Sequence, residues 1–334
     1  MNPSIPSIFR SKACAQALLA AGLSSVALAG WEANLPDPVS YSTTLDAPYK
    51  YVGIIRRGGA TGSASVVKHP RVLLTAAHCL YDDDGNPQTL PLWFHRYHGT
   101  SAPDPADGTE LYGHRRFNAY VNYLQGGGEQ SDSDAFNWDI ATMFGFEDMA
   151  LGSTAPYTSN GSGMLTGYDN KRVVGYPVSL YSEDNNSPRP LPENADDKYK
   201  LHSSHMIWHR FWKKSGTDHF YRAVGQVKGE AKLVSAPGNS GGPLFVKDGS
   251  TYKVAGVVVS GVNDHLINDS GDDDVYSGRT GVRALNSNAI SELIDPLEHA
   301  GDCNLSLFPT TRYHGAGAGS GSISIDVGAG CSWY

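Results

Sequence analysis

The segment Gly238–Gly242 reads Gly-Asn-Ser-Gly-Gly and places one serine among residues that free the backbone. A serine hydroxyl is a poor nucleophile at neutral pH, so it needs a base to take its proton and donors to hold the oxyanion that forms. Glycine at position 238 would let the chain turn so that the N–H groups of Gly238 and Ser240 face one point. The same letters also make a good turn sequence, so the segment alone leaves both interpretations open.

His78 could supply the base for such a nucleophile. It follows an apolar run within Leu73–Cys79, and the small residues Ala76 and Ala77 just before it would allow close packing at the base of a cleft. A lone histidine is more often a surface residue or a satisfied core residue. The functional interpretation of His78 therefore depends on finding its partners elsewhere in the chain.

Asp139 could be one of these partners. It lies in the segment Trp138–Ala141, with apolar residues on both sides. A carboxylate in such surroundings is costly to bury unless it accepts hydrogen bonds. A histidine N–H is a fitting donor, and that bond would fix the tautomer that a base needs. The motif is short, and an ordinary aspartate at the start of a strand would look the same.

Taken in the order His, Asp, Ser, these three segments resemble the trypsin/chymotrypsin-like serine peptidases, whereas subtilisins and α/β-hydrolases carry other orders. The segments Val173–Pro177 and Pro237–Ser240 are similar in particular to the glutamyl endopeptidase-like microbial branch. The resemblance covers roughly residues 50–300. It implies a serine endopeptidase that acts on protein or peptide substrates.

The resemblance also implies a role for each residue. Ser240 would be the nucleophile, His78 the general base and Asp139 the residue that orients the histidine, while the N–H groups of Gly238 and Ser240 would form the oxyanion hole. No cofactor and no metal is required. Two alternatives remain, a catalytically inactive protease-like binding protein and a serine esterase that uses the same triad.

The primary specificity pocket is predicted from motif offsets. Its predicted lining residues are Val234, Ser235, Val258, Val259, Ser260 and Gly261. Val234 offers no charge to pair with Lys or Arg, so cleavage after a basic residue is not expected unless an acidic side chain from 269–274 reaches the pocket. The strand 256–261 lacks the histidine that glutamyl endopeptidases use. The valines favour an apolar or small pocket.

Two further positions depart from the family. Most animal members carry an aspartate before the nucleophile, and it pairs with a new N-terminal ammonium after activation, whereas Asn239 has no charge to pair. The cysteine that normally bridges to the position of Cys79 is missing from Ala60–Val67. Cys79 is therefore predicted to be a free thiol, and a disulfide is predicted between Cys303 and Cys331, the two cysteines of the tail.

Short β-branched runs separated by Gly, Pro, Asn and Asp clusters predict an all-β protein from about residue 50 to 285. With the resemblance, the expected fold is a two-lobed antiparallel double β-barrel with a C-terminal helix over 287–299 and a Gly-rich tail. The predicted domain spans 51–300 and is followed by a C-terminal extension over 301–334. Residues 30–50 are predicted to form an N-terminal arm or a short propeptide.

The N-terminus predicts secretion, to the extracellular space or the periplasm. Arg10 and Lys12 precede a stretch without charge that ends in Ala27-Leu28-Ala29, the pattern of a signal peptide over 1–29. A membrane anchor is the alternative, but the stretch is marginal for spanning a bilayer. A formal net charge of −8 gives no footprint for nucleic acid. The mature protein is expected to be a monomer without a membrane partner.

Clustered acidic residues at 82–86 and 272–274 leave calcium binding open. Acidic surface turns are the favoured interpretation of the same residues.

Overall fold

The computed structural model of the protein describes residues 37–57, 60–88, 92–99, 101, 103–104, 107–181, 188–190, 199–206, 210–223, 235–263, 278–297, 305–308 and 324–327. The predicted signal peptide and the first part of the predicted arm lie outside these residues. In the part of the chain that the structure describes, no helix is long and apolar enough to cross a membrane.

The first lobe is a closed six-stranded barrel. Its strands are β2 (Val52–Arg57), β3 (Ala60–Val66), β4 (Val72–Thr75), β5 (Leu92–His95), β6 (Thr109–Arg116) and β7 (Ala141–Gly145). They pair in the order β2-β3-β4-β7-β6-β5, which joins the first and last strands. Leu73, Leu111 and Met143 fill the interior and are at most 1% exposed. Closure leaves no free edge in this lobe.

The second lobe is an eight-stranded sheet in the order β1-β11-β8-β14-β15-β16-β13-β12, and its neighbouring strands are antiparallel. Its strands are β1 (Asp37–Pro38), β8 (Lys171–Gly175), β11 (His202–Met206), β12 (Phe211–Lys213), β13 (Phe220–Ala223), β14 (Pro243–Asp248), β15 (Thr251–Asn263) and β16 (Gly278–Ala284). The apolar run in β15 explains its central place, because a strand covered on both faces needs near-continuous apolar residues. Strand β1 adds the predicted N-terminal arm to the edge of this sheet.

Two small hairpins complete the described strands. Strands β9 (Ser179–Tyr181) and β10 (Pro188–Pro190) form one, and β17 (Leu305–Phe308) and β18 (Ser324–Val327) form the other. The second hairpin lies in the predicted C-terminal extension and includes part of its Gly-rich tail. Cys303 and Cys331 lie outside the described residues, so their disulfide stays a prediction, as do the domain boundaries.

The helices are few and short. They are α1 (Tyr41–Thr44), α2 (Asn118–Gln125), α3 (Ser133–Trp138), α4 (Gly161–Thr166) and α5 (Ser287–Ala289), with 3₁₀ turns at Tyr49–Tyr51 and Ala77–Cys79. Helix α5 continues as a π-helical turn over Ile290–Ile294 and a 3₁₀ turn over Asp295–Leu297. The side chain of Asn286 caps α5 by accepting the N–H of Ala289 at 2.8 Å. The predicted C-terminal helix is therefore present, and the predicted double-lobed all-β fold is confirmed.

Polar contacts join the two lobes. Thr142 of β7 donates its hydroxyl to the carbonyl of Leu293 at 2.8 Å, which docks the C-terminal helical segment on the first barrel. The side-chain oxygen of Asn137 accepts the N–H groups of Asp218 and His219 at 3.0 and 2.7 Å. Asn137 lies in the first lobe, whereas Asp218 and His219 lie in the second. These bonds therefore fix how the two lobes face each other.

Cys79 is a free, partly exposed thiol that lies opposite Gly62 of β3. A Cβ atom built on Gly62 would lie 2.9 Å from the sulfur of Cys79, close to the spacing that a disulfide requires. We expect Gly62→Cys to form a disulfide with Cys79 under oxidising conditions and to stabilise the protein by about 3 kcal/mol. Peptide mapping under non-reducing conditions and chemical unfolding measure the two effects.

The matched control for this bridge is the double variant Gly62→Cys, Cys79→Ser, which has the same added side chain and no partner for it. It should show no gain in stability. The prediction is wrong if Gly62→Cys folds but both thiols still react with a thiol reagent after oxidation.

Candidate active site

His78 lies on the 3₁₀ turn Ala77–Cys79 that follows strand β4 of the first barrel. Ala76 and Ala77 are fully buried, and their small side chains let this turn pack directly against the barrel. The side chain of His78 is 21% exposed. The imidazole therefore has one edge toward the barrel and one edge open to an approaching ligand.

Asp139 holds the buried edge of His78. It follows helix α3, two residues before the start of strand β7, and is 1% exposed. One carboxylate oxygen lies 2.6 Å from Nδ1 of His78, and the other accepts the backbone N–H of His78 at 2.9 Å. A carboxylate can only accept, so Nδ1 carries the hydrogen and Nε2 is left as the acceptor. This is the tautomer that a general base needs.

The same pair sets the titration of the ring. Burial is the largest single influence and lowers the pKa of His78, but the interactions of the ring with Asp139, and next with Cys79, together raise it by more. The net result is a His78 pKa well above 6.5. The ring is therefore neutral, and able to accept a proton at Nε2, only above this raised pKa.

Ser240 lies in the turn formed by residues 235–242, which we call the nucleophile turn. Its carbonyl oxygen accepts the N–H of Ser63 at 2.7 Å and lies 3.6 Å from the sulfur of Cys79, the neighbour of His78. The turn that carries Ser240 thus contacts the first lobe beside the turn that carries His78. No hydrogen bond joins the Ser240 hydroxyl to the His78 ring in the described residues, and such bonds are often long before a substrate is bound.

The backbone around Gly238 fits an oxyanion-binding role. Gly238 has a φ of +94°, and a Cβ atom there would overlap the carbonyl oxygen of Tyr176. The carbonyl of Pro237 accepts the N–H of Val178 at 2.8 Å, and that of Asn239 accepts the N–H of Gly242 at 2.9 Å. In a trans peptide the C=O and N–H groups point in opposite directions. The carbonyls of Pro237 and Asn239 point at their donors, so the N–H group that follows each of them points away from that donor.

The N–H groups so directed belong to Gly238 and Ser240. Neither donates a hydrogen bond within the described part of the chain, although nearly all buried backbone donors in proteins are paired. Two donors held open beside the nucleophile could stabilise a developing oxyanion.

Asn239 organises the nucleophile turn without a charge. It is fully buried, its side-chain oxygen accepts the N–H of Ala236 at 2.9 Å, and its own N–H donates to the carbonyl of Ala236 at 2.9 Å. These two bonds close the turn within one short segment. Neutral groups therefore close this turn, and no charge is involved.

The predicted pocket residues separate into two groups. Ser235 donates its hydroxyl to the carbonyl of Ser260 at 3.1 Å, and a Cβ atom on Gly261 would lie 2.5 Å from the carbonyl oxygen of Ser235. These three residues lie together. Val258 and Val259 are 1% and 3% exposed and pack into hydrophobic clusters. Val234 lies outside the described residues, so the pocket itself stays a prediction.

The acidic turn at 82–86 is closed by its own hydrogen bonds. One side-chain oxygen of Asp82 accepts the N–H groups of Asp84 and Asn86 at 3.1 and 2.8 Å. No three His, Cys, Asp or Glu side chains converge as metal ligands among the described residues. The second acidic cluster, at 272–274, lies outside them.

A cavity of about 430 Å³ lies between the N-terminal segment and the first barrel. Its lining includes Tyr41, Lys50, Arg96 and Tyr176, but neither His78 nor Ser240. This cavity is therefore separate from the place where the predicted base and nucleophile meet.

Sequence reasoning missed two residues that position the site. Ser63 of β3 contacts the nucleophile turn through its backbone and its side chain, and Val178 fixes the carbonyl of Pro237. Neither stands in a motif, and a serine within a strand carries no sequence signal for such a contact.

The sequence matches no family model and no curated protein. Among solved structures, the fold is similar to a Glu endopeptidase with a TM-score of 0.52 and 14% identity, over 80% of this chain and 96% of that chain. A thermostable serine protease from an extremophilic microorganism has a TM-score of 0.49 and 15% identity, over 76% of this chain and 98% of that one. The protease Anisep from Arthrobacter nicotinovorans has a TM-score of 0.47 and 15% identity, over 77% and 98%.

At this level of identity, the first of these similarities establishes the fold alone. The fold is the chymotrypsin-like double barrel, the architecture of that Glu endopeptidase. What the chain does with this fold has to be argued from its own side chains.

Proposed function

We propose that this protein is a serine endopeptidase that hydrolyses peptide bonds through an acyl-enzyme on Ser240. The observation that carries the proposal is the pair of hydrogen bonds that Asp139 accepts from the ring and the backbone of His78, at 2.6 and 2.9 Å. A buried carboxylate that fixes both the ring and the backbone of a histidine has little purpose in packing alone, because burial of the charge is costly.

The first half of the reaction forms the acyl-enzyme. Nε2 of His78 takes the proton of the Ser240 hydroxyl as its oxygen attacks the peptide carbonyl, and the carbonyl oxygen becomes an oxyanion. The N–H groups of Gly238 and Ser240 hold this oxyanion, while Asp139 stabilises the protonated ring. His78 then gives its proton to the leaving amine as the C–N bond breaks.

The second half releases the product. A water molecule gives a proton to Nε2 of His78 as its oxygen attacks the ester carbonyl of the acyl-enzyme. The oxyanion forms again in the same place. Its collapse breaks the bond to the Ser240 oxygen, which recovers the proton from His78, and the acid product leaves. No step needs a metal or a cofactor.

Secretion, a monomeric state and the Cys303–Cys331 disulfide belong to the same proposal. The uncharged stretch that ends at Ala29 supports export. The pairing of Leu305 with Val327 supports the disulfide, because these are the described residues nearest the two cysteines. Substrates would be proteins or peptides of the surroundings.

Covalent labelling tests the proposal directly. An arylsulfonyl fluoride or a fluorophosphonate is expected to modify Ser240, because the proposed base His78 would activate this hydroxyl. Mass spectrometry of the digested protein locates the adduct. The exposed Ser250, in the turn after β14, serves as an internal control and should stay unmodified.

Wild-type protein that takes up no label at Ser240 and cleaves no member of a fluorogenic peptide panel would refute the proposal in favour of an inactive protease-like binding protein. Cleavage of esters but not of peptides would point instead to the esterase alternative. The same panel, varied only at the residue before the cut, measures the preference of the pocket.

A further inference from the structure

Every polar group of Ser63 makes a hydrogen bond, either to the second lobe or to Thr75 at the end of strand β4. Its N–H donates to the carbonyl of Ser240 at 2.7 Å, and its hydroxyl donates to the carbonyl of Gly238 at 2.7 Å. The same hydroxyl oxygen accepts the N–H of Tyr176 at 2.9 Å, and the carbonyl of Ser63 accepts the hydroxyl of Thr75 at 2.9 Å. Ser63 is fully buried, and all these groups are satisfied.

The bond to Gly238 matters because glycine can turn freely on both sides of its Cα atom. The peptide before Gly238 is fixed by the bond from Val178 to Pro237. The peptide after it is held at its carbonyl by the hydroxyl of Ser63 and at its N–H by the carbonyl of Ala236. Together these bonds hold the φ of +94° that directs the N–H of Gly238. Without Ser63, the second peptide plane would lose its only side-chain hydrogen bond in the described residues.

Close packing around Ser63 supports the same conclusion. Cβ atoms built on Gly175 and Gly242 would lie 3.3 and 3.1 Å from the Cβ of Ser63. A Cβ atom on Gly241 would overlap the carbonyl oxygen of Ser63. Backbone from the second lobe thus closes around this one side chain.

We propose that Ser63 is a positioning residue for the oxyanion hole, holding Gly238 from the opposite lobe so that its N–H stays directed at the reacting carbonyl. This inference rests on the proposed function. Ser63 does not touch the reacting atoms and acts through Gly238, so its loss should slow the step in which the oxyanion forms and leave substrate binding nearly unchanged.

Ser65 provides a matched control on the same strand. It lies two residues further along β3, on the same face, and is also fully buried. Its hydroxyl has no hydrogen-bond partner within the described residues. Ser63→Ala and Ser65→Ala therefore remove the same atom from equally buried sites, and only the first removes hydrogen bonds to the nucleophile turn.

The kinetic test compares the two variants on the best peptide of the panel. Ser63→Ala is expected to lower kcat about 10- to 100-fold and to change KM less than about twofold. This loss in kcat is somewhat smaller than the loss caused by removing an oxyanion donor itself. A peptide aldehyde of the same sequence, which binds as a tetrahedral adduct, should bind more weakly by a similar factor. Ser65→Ala should behave as wild type in both measurements.

A second readout does not depend on catalysis. Hydrogen exchange should be faster in Ser63→Ala at the amides of Tyr176 and Asn239, because Tyr176 loses its acceptor and the nucleophile turn loses a tether. Exchange at these amides should be unchanged in Ser65→Ala. If Ser240 takes no label in wild type, the proposed function fails while this readout still tests the tether.

Two outcomes would overturn the inference. One is a Ser63→Ala protein with wild-type kcat and wild-type exchange. The other is an equal loss of activity in Ser63→Ala and Ser65→Ala, which would mean that buried serines in β3 serve stability alone.

Discussion

Ser240→Ala is expected to lower the rate of peptide hydrolysis by about 10⁶-fold, because the variant has no oxygen to form the acyl-enzyme. The loss should appear in kcat. The fold should be retained, since Ser240 contacts the first lobe through its backbone carbonyl, which accepts the N–H of Ser63 and is unaffected by the substitution. Assays of the purified variant with a fluorogenic peptide, together with thermal unfolding, measure both effects.

Ser250→Ala is the control for this variant, because Ser250 is exposed in a turn at the far end of strand β14. It should keep full activity. A Ser240→Ala protein that still cleaves the peptide at the wild-type rate would place the nucleophile elsewhere in the chain.

Asp139→Asn is expected to lower kcat by about 10⁴-fold. The amide would keep an oxygen for the backbone N–H of His78 but would turn its NH₂ group toward Nδ1 of the ring. The hydrogen of the imidazole would then have to move to Nε2, where it blocks proton transfer from Ser240. Steady-state assays across pH values measure both the loss and its cause.

The pH profile separates this cause from general damage. In wild type, kcat/KM should rise with pH through a His78 pKa above 6.5, because only the neutral ring can act as base. In Asp139→Asn the charge that raises this pKa is gone while burial remains, so the rise should move to lower pH. Asp132→Asn removes an equal charge from the residue before α3 and should leave the profile in place. An unshifted profile in Asp139→Asn would contradict the assigned cause.

Local sequence patterns predict the fold and the candidate residues His78, Asp139 and Ser240, for identifiable reasons. Turn residues separate short β-branched runs along most of the chain, which is a strong signal for antiparallel sheets. Histidine, aspartate and serine each stand in a local segment whose neighbours suit their role. In the structure, the Nδ1 atom of His78 lies 2.6 Å from Asp139, as the order of the motifs implied.

Contacts between distant segments could not be predicted in the same way. Ser63 is separated by more than half of the chain from Gly238. The sequence of its strand does not indicate whether its hydroxyl makes a hydrogen bond. The neighbouring Ser65, with no partner for its hydroxyl in the described residues, makes this plain. Asn239 is a similar case, because the sequence reveals its lack of charge but not its bonds to Ala236.

The pocket prediction illustrates a limit set by strand geometry. Successive side chains of a strand point to opposite faces, so neighbouring residues of β15 cannot all face one pocket. Val258 packs with the core of the second lobe, and Val259 belongs to a different hydrophobic cluster. An offset from a motif finds the right strand, but the direction of each side chain depends on the register of the sheet.

The docking of the C-terminal helical segment on the first barrel has a consequence for the order in which the fold is completed. The bond from Thr142 to Leu293 ties a strand that leaves the ribosome early to a segment that leaves it late. A fold with many such distant pairings forms slowly, because loops must close before the contacts stabilise it. Ser240 lies in the second lobe and His78 in the first, so a site formed by both residues has to wait until the chain of both lobes has been made.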